Sequence, residues 1–93
     1  MLVVYAKANT LEAHRFGVTV PKTTGTAVTR NKFKRWCKEF YRKADVSELS
    51  RGTDFNVVVA SKRLKRGDYK DVEFEQFKSQ LEQSFSMAVR RFK

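Results

Sequence analysis

Residues 27–44 constrain this chain more than any other segment, because the pattern predicts a helix with two incompatible sides. Phe33, Trp36, Cys37, Phe40 and Ala44 recur at steps of three and four, which makes one apolar stripe roughly 100° wide. Arg30, Lys34, Lys38 and Arg42 follow a four-residue ridge on another side, with Asn31 and Arg35 beside them. Such a stripe has to be buried against a second layer, so the helix cannot stand alone. Thr26 is placed to cap its N-terminus.

The second layer reads as a sheet. Residues 2–7 form a short β-prone run with Val3, Val4 and Tyr5, followed by a turn or loop around Asn9-Thr10. Residues 14–20 alternate, with Phe16, Val18 and Val20 pointing one way and Arg15, Gly17 and Thr19 the other. The short connection predicts a hairpin between these two runs, closed off by Pro21. Residues 45–52 read as a connector with a turn of helix at Val46–Leu49. Residues 54–60, with Phe55 and Val57-Val58-Val59, suit a strand buried on both faces. A basic loop spans residues 62–67. From about Asp71, Phe74, Phe77, Leu81, Phe85, Ala88 and Phe92 repeat with helical period. That helix carries Asp71, Glu73 and Glu75 early and Arg90, Arg91 and Lys93 late, complementing its dipole. The order is β-β-α-β-α, an α+β two-layer sandwich with helices on one face of a small sheet. Residues 1–93 show no repeat or linker and read as a single domain.

Charge points to a partner. Twenty Lys and Arg stand against ten Asp and Glu in 93 residues, a formal net charge of +10. Such an excess repels itself, which favours a polyanion as partner over a role in solubility alone. Nucleic acid is the first candidate and an anionic membrane surface the second. Between Arg30 and Lys43 there are seven basic residues and one acid, Glu39. Like charges four apart repel by a few tenths of a kcal/mol per pair. A ridge that repeats this penalty is suited to phosphates spaced along a nucleic-acid backbone. The preceding glycine-threonine loop offers backbone N–H groups to phosphate as well. RNA and DNA are not distinguished on these grounds.

Protein-borne catalysis finds no constellation. His14 reads as a surface or hairpin residue, and Cys37 as a small core residue rather than a reactive thiolate. One His and one Cys give no zinc-ligand spacing. Asp68 and Asp71 could share a magnesium ion with RNA, but a loop acid and a helix cap explain them better. Trp36, Phe40, Phe74, Phe77, Phe85 and Phe92 are at core spacing. A single cysteine allows no intramolecular disulfide, and no secretory signal or bilayer-length apolar run is seen. The expectation is a soluble, cytoplasmic protein without a membrane partner.

Two stretches carry a family pattern. Phe16-Gly17-Val18-Thr19-Val20-Pro21-Lys22, then Gly25-Thr26-Ala27-Val28-Thr29-Arg30-Asn31-Lys32-Phe33-Lys34-Arg35, resemble the signature of the bacterial ribonuclease P protein component. The likeness extends more loosely over the whole chain. It implies a ribosomal-protein-like fold with a left-handed β-α-β crossover. It also implies ribonuclease P RNA and precursor tRNA as partners, and the removal of 5′ leaders from that tRNA. The RNA and its magnesium would carry out the hydrolysis, with the protein as accessory subunit of the endoribonuclease. By matching positions, Arg30, Asn31, Lys32, Lys34 and Arg35 would contact the RNA, with Lys22 beside them; the ridge adds Lys38 and Arg42. Tyr5 matches an aromatic position in the cleft for the single-stranded leader. Lys32 departs from the usual second arginine, which removes a guanidinium fork, and Thr23 replaces a frequent lysine. The family carries a further helix ahead of the first strand, where this sequence begins. RNA docking is therefore expected to be retained better than leader recognition, and self-association is one way to cover exposed sheet. The alternative is a general RNA-binding or RNA-chaperone protein of ribosomal type.

Overall fold

Alternating burial along three strands and two helical stripes generates the architecture. A computed structural model describes residues 1–47, 49, 52–60 and 66–92. The elements are β1 (Leu2–Ala8), β2 (Arg15–Thr19), α1 (Ala27–Lys43), β3 (Thr53–Val59) and α2 (Phe74–Phe92). Turns of 3-10 helix occupy Lys22–Thr24 and Arg66–Asp71. The order is the β-β-α-β-α expected. Residues 62–65 of the basic loop lie outside the described residues, as do the side chains of Arg66 and Phe92 and all of Lys93.

The hairpin does not form. The sheet order is β1-β3-β2, so β3 separates the first two strands. β1 runs antiparallel to β3, from Leu2 opposite Val59 to Ala8 opposite Thr53. β2 runs parallel to β3, from Arg15 opposite Asp54 to Thr19 opposite Val58. The centre of a sheet buries more surface than its edges, and β3 buries Thr53, Phe55, Val57 and Val59 there. Residues 9–14 carry the chain the roughly 10 Å across it. Asn9 organises that passage: its backbone N–H donates to the Gly52 carbonyl at 3.1 Å, and its side-chain oxygen accepts from the Leu11 N–H at 2.9 Å. The β2, α1 and β3 segments make a β-α-β unit with neighbouring parallel strands.

One face of the sheet is packed and the other open. Leu2, Val4, Ala6, Phe16, Val18, Phe55, Val57 and Val59 share the inner face by register. Val3, Tyr5, Lys7, Arg15, Gly17, Thr19, Asp54, Asn56 and Val58 share the outer one. Thus β3 is not buried on both faces. Phe55, Val57 and Val59 are buried while Asp54, Asn56 and Val58 between them are half-buried. Both helices lie on the inner side, and the outer side has no described layer over it.

Thr26 caps α1 as expected, its hydroxyl accepting the Thr29 N–H. Phe33 and Cys37 are fully buried, while Trp36 and Phe40 are half-buried against the same core. In α2 the buried stripe is Phe77, Leu81, Phe85 and Val89, each four residues on. Val89 takes the place expected of Ala88, which is half-buried. Phe74 is 40% exposed, a rim residue rather than a core one, with its ring against the edge of Trp36 at 5.2 Å. α2 starts after Asp71 because the 3-10 turn intervenes; that turn and the residue after it bury Tyr69 and Val72. The segment at Val46 is a turn in which the Leu49 N–H donates to the Val46 carbonyl. Fully burying a phenylalanine stabilises by about 1.5–3 kcal/mol. Phe33, Phe55 and Phe77 therefore dominate this small core.

Candidate nucleic-acid interface

The site follows from how α1 is seated. Phe33 and Cys37 point into the core, which turns Asn31, Arg35, Lys38 and Arg42 outward, all exposed. Arg30 and Lys34 flank the stripe and are half-buried. The same flank is continued by Tyr41, whose ring stacks on Phe16 of β2 at 4.3 Å and 11°. The cationic side therefore runs beside the β2 edge of the sheet. Glu39, the acid of this helix, borders that side, four residues after Arg35 and three before Arg42.

Arg30 has a feature the sequence could not show. Its Nε is shielded from solvent and has no hydrogen-bond partner among the described residues. A buried donor left unsatisfied is costly, so this group favours an acceptor arriving from outside.

Lys32 stands apart from the others. Two residues from Lys34, it falls on the opposite side of α1. Its Nζ donates to the Lys70 carbonyl at 3.1 Å and lies 5.0 Å and 5.1 Å from the ring centroids of Phe33 and Trp36. The charge thus ties α1 to the 3-10 turn at Arg66–Asp71. Lys22 is exposed at the start of the first 3-10 turn, on the approach to α1.

The glycine-threonine loop offers less to phosphate than its composition suggests. The Thr24 and Gly25 N–H groups donate to the Pro21 and Lys22 carbonyls at 2.9 and 3.3 Å, and both residues are buried. Gly25 adopts φ 156°, and an added Cβ there would press on Thr29 at 3.3 Å. The loop aims α1 rather than presenting a row of donors.

Tyr5 lies elsewhere. It is 58% exposed on the open face, in register with Asn56 and Gly17. An added Cβ at Gly17 would come within 3.3 Å of Asn56 Oδ1, so glycine keeps this row low beside the ring. Asn56 pairs side chain to side chain with Thr19. Tyr5 and the cationic side of α1 sit at opposite edges of the sheet and do not converge on one pocket. The flanking Val3 and Asn56 were missed by sequence reading, since only the strand register shows that they neighbour Tyr5.

The residues set aside as structural behave so. Burial pushes the Cys37 thiol up to about 12, which keeps it protonated and inert. His14 Nδ1 accepts the Thr53 N–H at 3.2 Å, tying the loop to β3. Asp54 accepts from Arg15 Nε and Nη2 at 2.7 and 2.6 Å and from Asn9 Nδ2 at 2.7 Å. Those bonds, Arg15 first and Asn9 second, hold its carboxyl down at about 2. Among the described residues no three His, Cys, Asp or Glu side chains gather as a metal site, and no helix is long and apolar enough to cross a membrane.

The family model for ribonuclease P matches residues 1–89. The chain belongs to the ribonuclease P protein family. It is 41% identical over 73 residues to a ribonuclease P protein component of Clostridium botulinum, covering 78% of this chain and 65% of that relative. Against the component from Thermotoga petrophila it is 38% identical, covering 77% of this chain and 59% of the relative. The matched region thus spans less than two thirds of these curated relatives. Among solved structures, the ribonuclease P protein of Thermotoga maritima superposes with a TM-score of 0.71 at 28% identity, over 96% of this chain and 78% of that one. The Staphylococcus aureus protein gives 0.69 at 30% identity, over 94% and 73%. The three-stranded sheet and two helices are therefore the ribonuclease P protein fold.

Proposed function

We propose that this chain is the protein subunit of ribonuclease P, docking on the catalytic RNA through the cationic side of α1 and assisting removal of 5′ leaders from precursor tRNA. The observation that carries this reading is the separation of sides on α1. Phe33 and Cys37 fix the helix to the core, and the fixed helix presents Arg30, Asn31, Lys34, Arg35, Lys38 and Arg42 as one surface. Membership of the family names the RNA. Phosphates along the RNA backbone would meet this row, with arginine forks adding bidentate contacts. Arg30 Nε then gains the acceptor it lacks. Lys22 adds charge at the helix entrance. Lys32, held by the Lys70 carbonyl, keeps two further donors and reaches RNA only from the side of the second 3-10 turn.

Tyr5 is assigned to the leader, whose unpaired bases would stack on its exposed ring beside Asn56. The hydrolysis belongs to the RNA and the magnesium it binds. A cytoplasmic location goes with this role.

Reconstitution with ribonuclease P RNA tests the assignment. The protein should bind that RNA in preference to other folded RNAs of equal length, and should speed precursor cleavage at low magnesium. Equal affinity for all of them, with no change in cleavage, would instead make it a general RNA-binding or RNA-chaperone protein.

A further inference from the structure

The edge of the sheet farthest from the cationic helix is the outer side of β1. β1 pairs with β3 on one side, and among the described residues no strand pairs with its other side. In an antiparallel ladder, alternate residues direct both backbone groups to the neighbouring strand. The Ala60 N–H donates to the Met1 carbonyl and the Asn9 N–H to the Gly52 carbonyl. These two bonds fix the phase: odd-numbered residues face β3. The N–H and C=O groups of Leu2, Val4, Ala6 and Ala8 therefore point out along the open edge.

That edge has a wall. Ser84, Met87, Ala88 and Arg91 of α2 run alongside Leu2–Ala6, leaving a groove of about 370 Å³ between strand and helix. Met87 is 45% exposed there and Val3 45% on the strand. Exposed edges are usually blunted by proline, lysine, bulges or short length. β2 shows such devices: it has five residues, with Arg15 at one end and Pro21 beyond the other. β1 has seven residues, and its one charge, Lys7, lies near the end.

We infer that the groove between β1 and α2 binds an extended acidic-apolar segment of a partner protein by strand addition. A row of edge amides at two-residue spacing matches another polypeptide's own amides. A sugar-phosphate chain has no such alternating donors. Side chains of the added strand facing inward would rest on Met87 and Ala88, which selects apolar residues. Those facing outward would lie level with Lys7, and Arg91 closes the groove; no acid lines it, and the chain carries +10. This selects acidic residues. α1 packs beside β2 and α2 beside β1, so RNA on the cationic helix leaves this edge accessible.

The test titrates the full chain with a labelled eight-residue peptide alternating valine and glutamate, read by anisotropy and amide chemical shifts. Saturable binding with shifts concentrated at Leu2, Val4, Ala6 and Ala8 is expected. Val4→Pro removes one outward N–H, and Met87→Glu opposes the acidic strand; each should weaken binding at least tenfold. Should Val4→Pro fail to fold, the same peptide N-methylated on alternate residues removes the pairing without touching the protein, and should not bind. Shifts confined to α1, undiminished binding of the methylated peptide, or no binding at all would each overturn the inference.

Discussion

The two edges of the sheet differ in what they leave exposed. At the β2 edge, α1 turns a row of cations outward while the strand is short and followed by Pro21. At the β1 edge, α2 turns Met87 and Ala88 toward a longer, nearly uncharged strand whose outward backbone groups have no strand partner among the described residues. One edge offers side-chain charge beside a short strand; the other offers a longer run of backbone and little charge. The same small core supports both, so one layer of helices can serve two chemically unlike surfaces.

The largest effect tests the shared support. Phe33→Ala removes a fully buried ring that touches Trp36, Tyr69 and Phe77, and should cost about 3–5 kcal/mol in chemical denaturation. For a domain of this size that lowers Tm by roughly 4–8 °C per kcal/mol. Met87→Ala, at the exposed wall of the other edge, should stay within about 0.5 kcal/mol. Equal losses would mean that the two helices are not anchored as described.

Charge is the next contrast. Replacing Arg35, Lys38 and Arg42 together by Ala should weaken ribonuclease P RNA binding on the order of a hundredfold and flatten its salt dependence. Replacing Lys7 and Arg91 should change affinity far less. A comparable loss from both sets would show a diffuse positive surface instead of a directed one.

Tyr5→Ala sharpens the comparison from the open face. Loss of one stacking platform should weaken single-stranded leader binding by about 1–3 kcal/mol and leave stability unaltered, since the ring is 58% exposed. An unchanged leader affinity would remove Tyr5 from the site.

The smallest effect concerns acid. Asp54 is held at about 2 by Arg15 and Asn9, below the usual carboxylate value near 3.9 in an unfolded chain. Its contribution to stability is therefore complete above pH about 4 and lost as pH falls through about 2. Asp54→Asn should lower the midpoint of thermal unfolding slightly at neutral pH and flatten its acid dependence over that window. An identical pH profile in the variant would show that the Arg15 pair adds nothing.

Much of this was legible in local pattern, and what was not has a physical reason. Thr26 and the spacing of Phe33 and Cys37 define α1 by themselves, because capping and helical period are local properties. The partner of β1 is not local: Leu2 meets Val59, and no spacing near residue 2 announces it. The hairpin expectation failed for that reason, and the assignment of β3 as doubly buried failed because hydrophobicity does not say how many layers a fold has. At the site, the outward set on α1 follows from period alone. The attachment of Lys32 to the Lys70 carbonyl does not, since the two are distant in sequence. The shielding of Arg30 Nε and the internal bonding of the loop amides likewise follow from the folded geometry.

The β1-β3-β2 order also dictates when the molecule can exist. β1 and β2 leave the ribosome before β3, yet neither pairs with the other; both wait for residues 53–59 to emerge between them. Pairings of such long sequence separation form slowly, after a costly loop closure. A half-made chain therefore displays two unpaired apolar strands and has no sheet at all. Synthesis has to pass β3 before β1 and β2 find their place, so a pause at the connector before it would leave the nascent protein at its most adhesive.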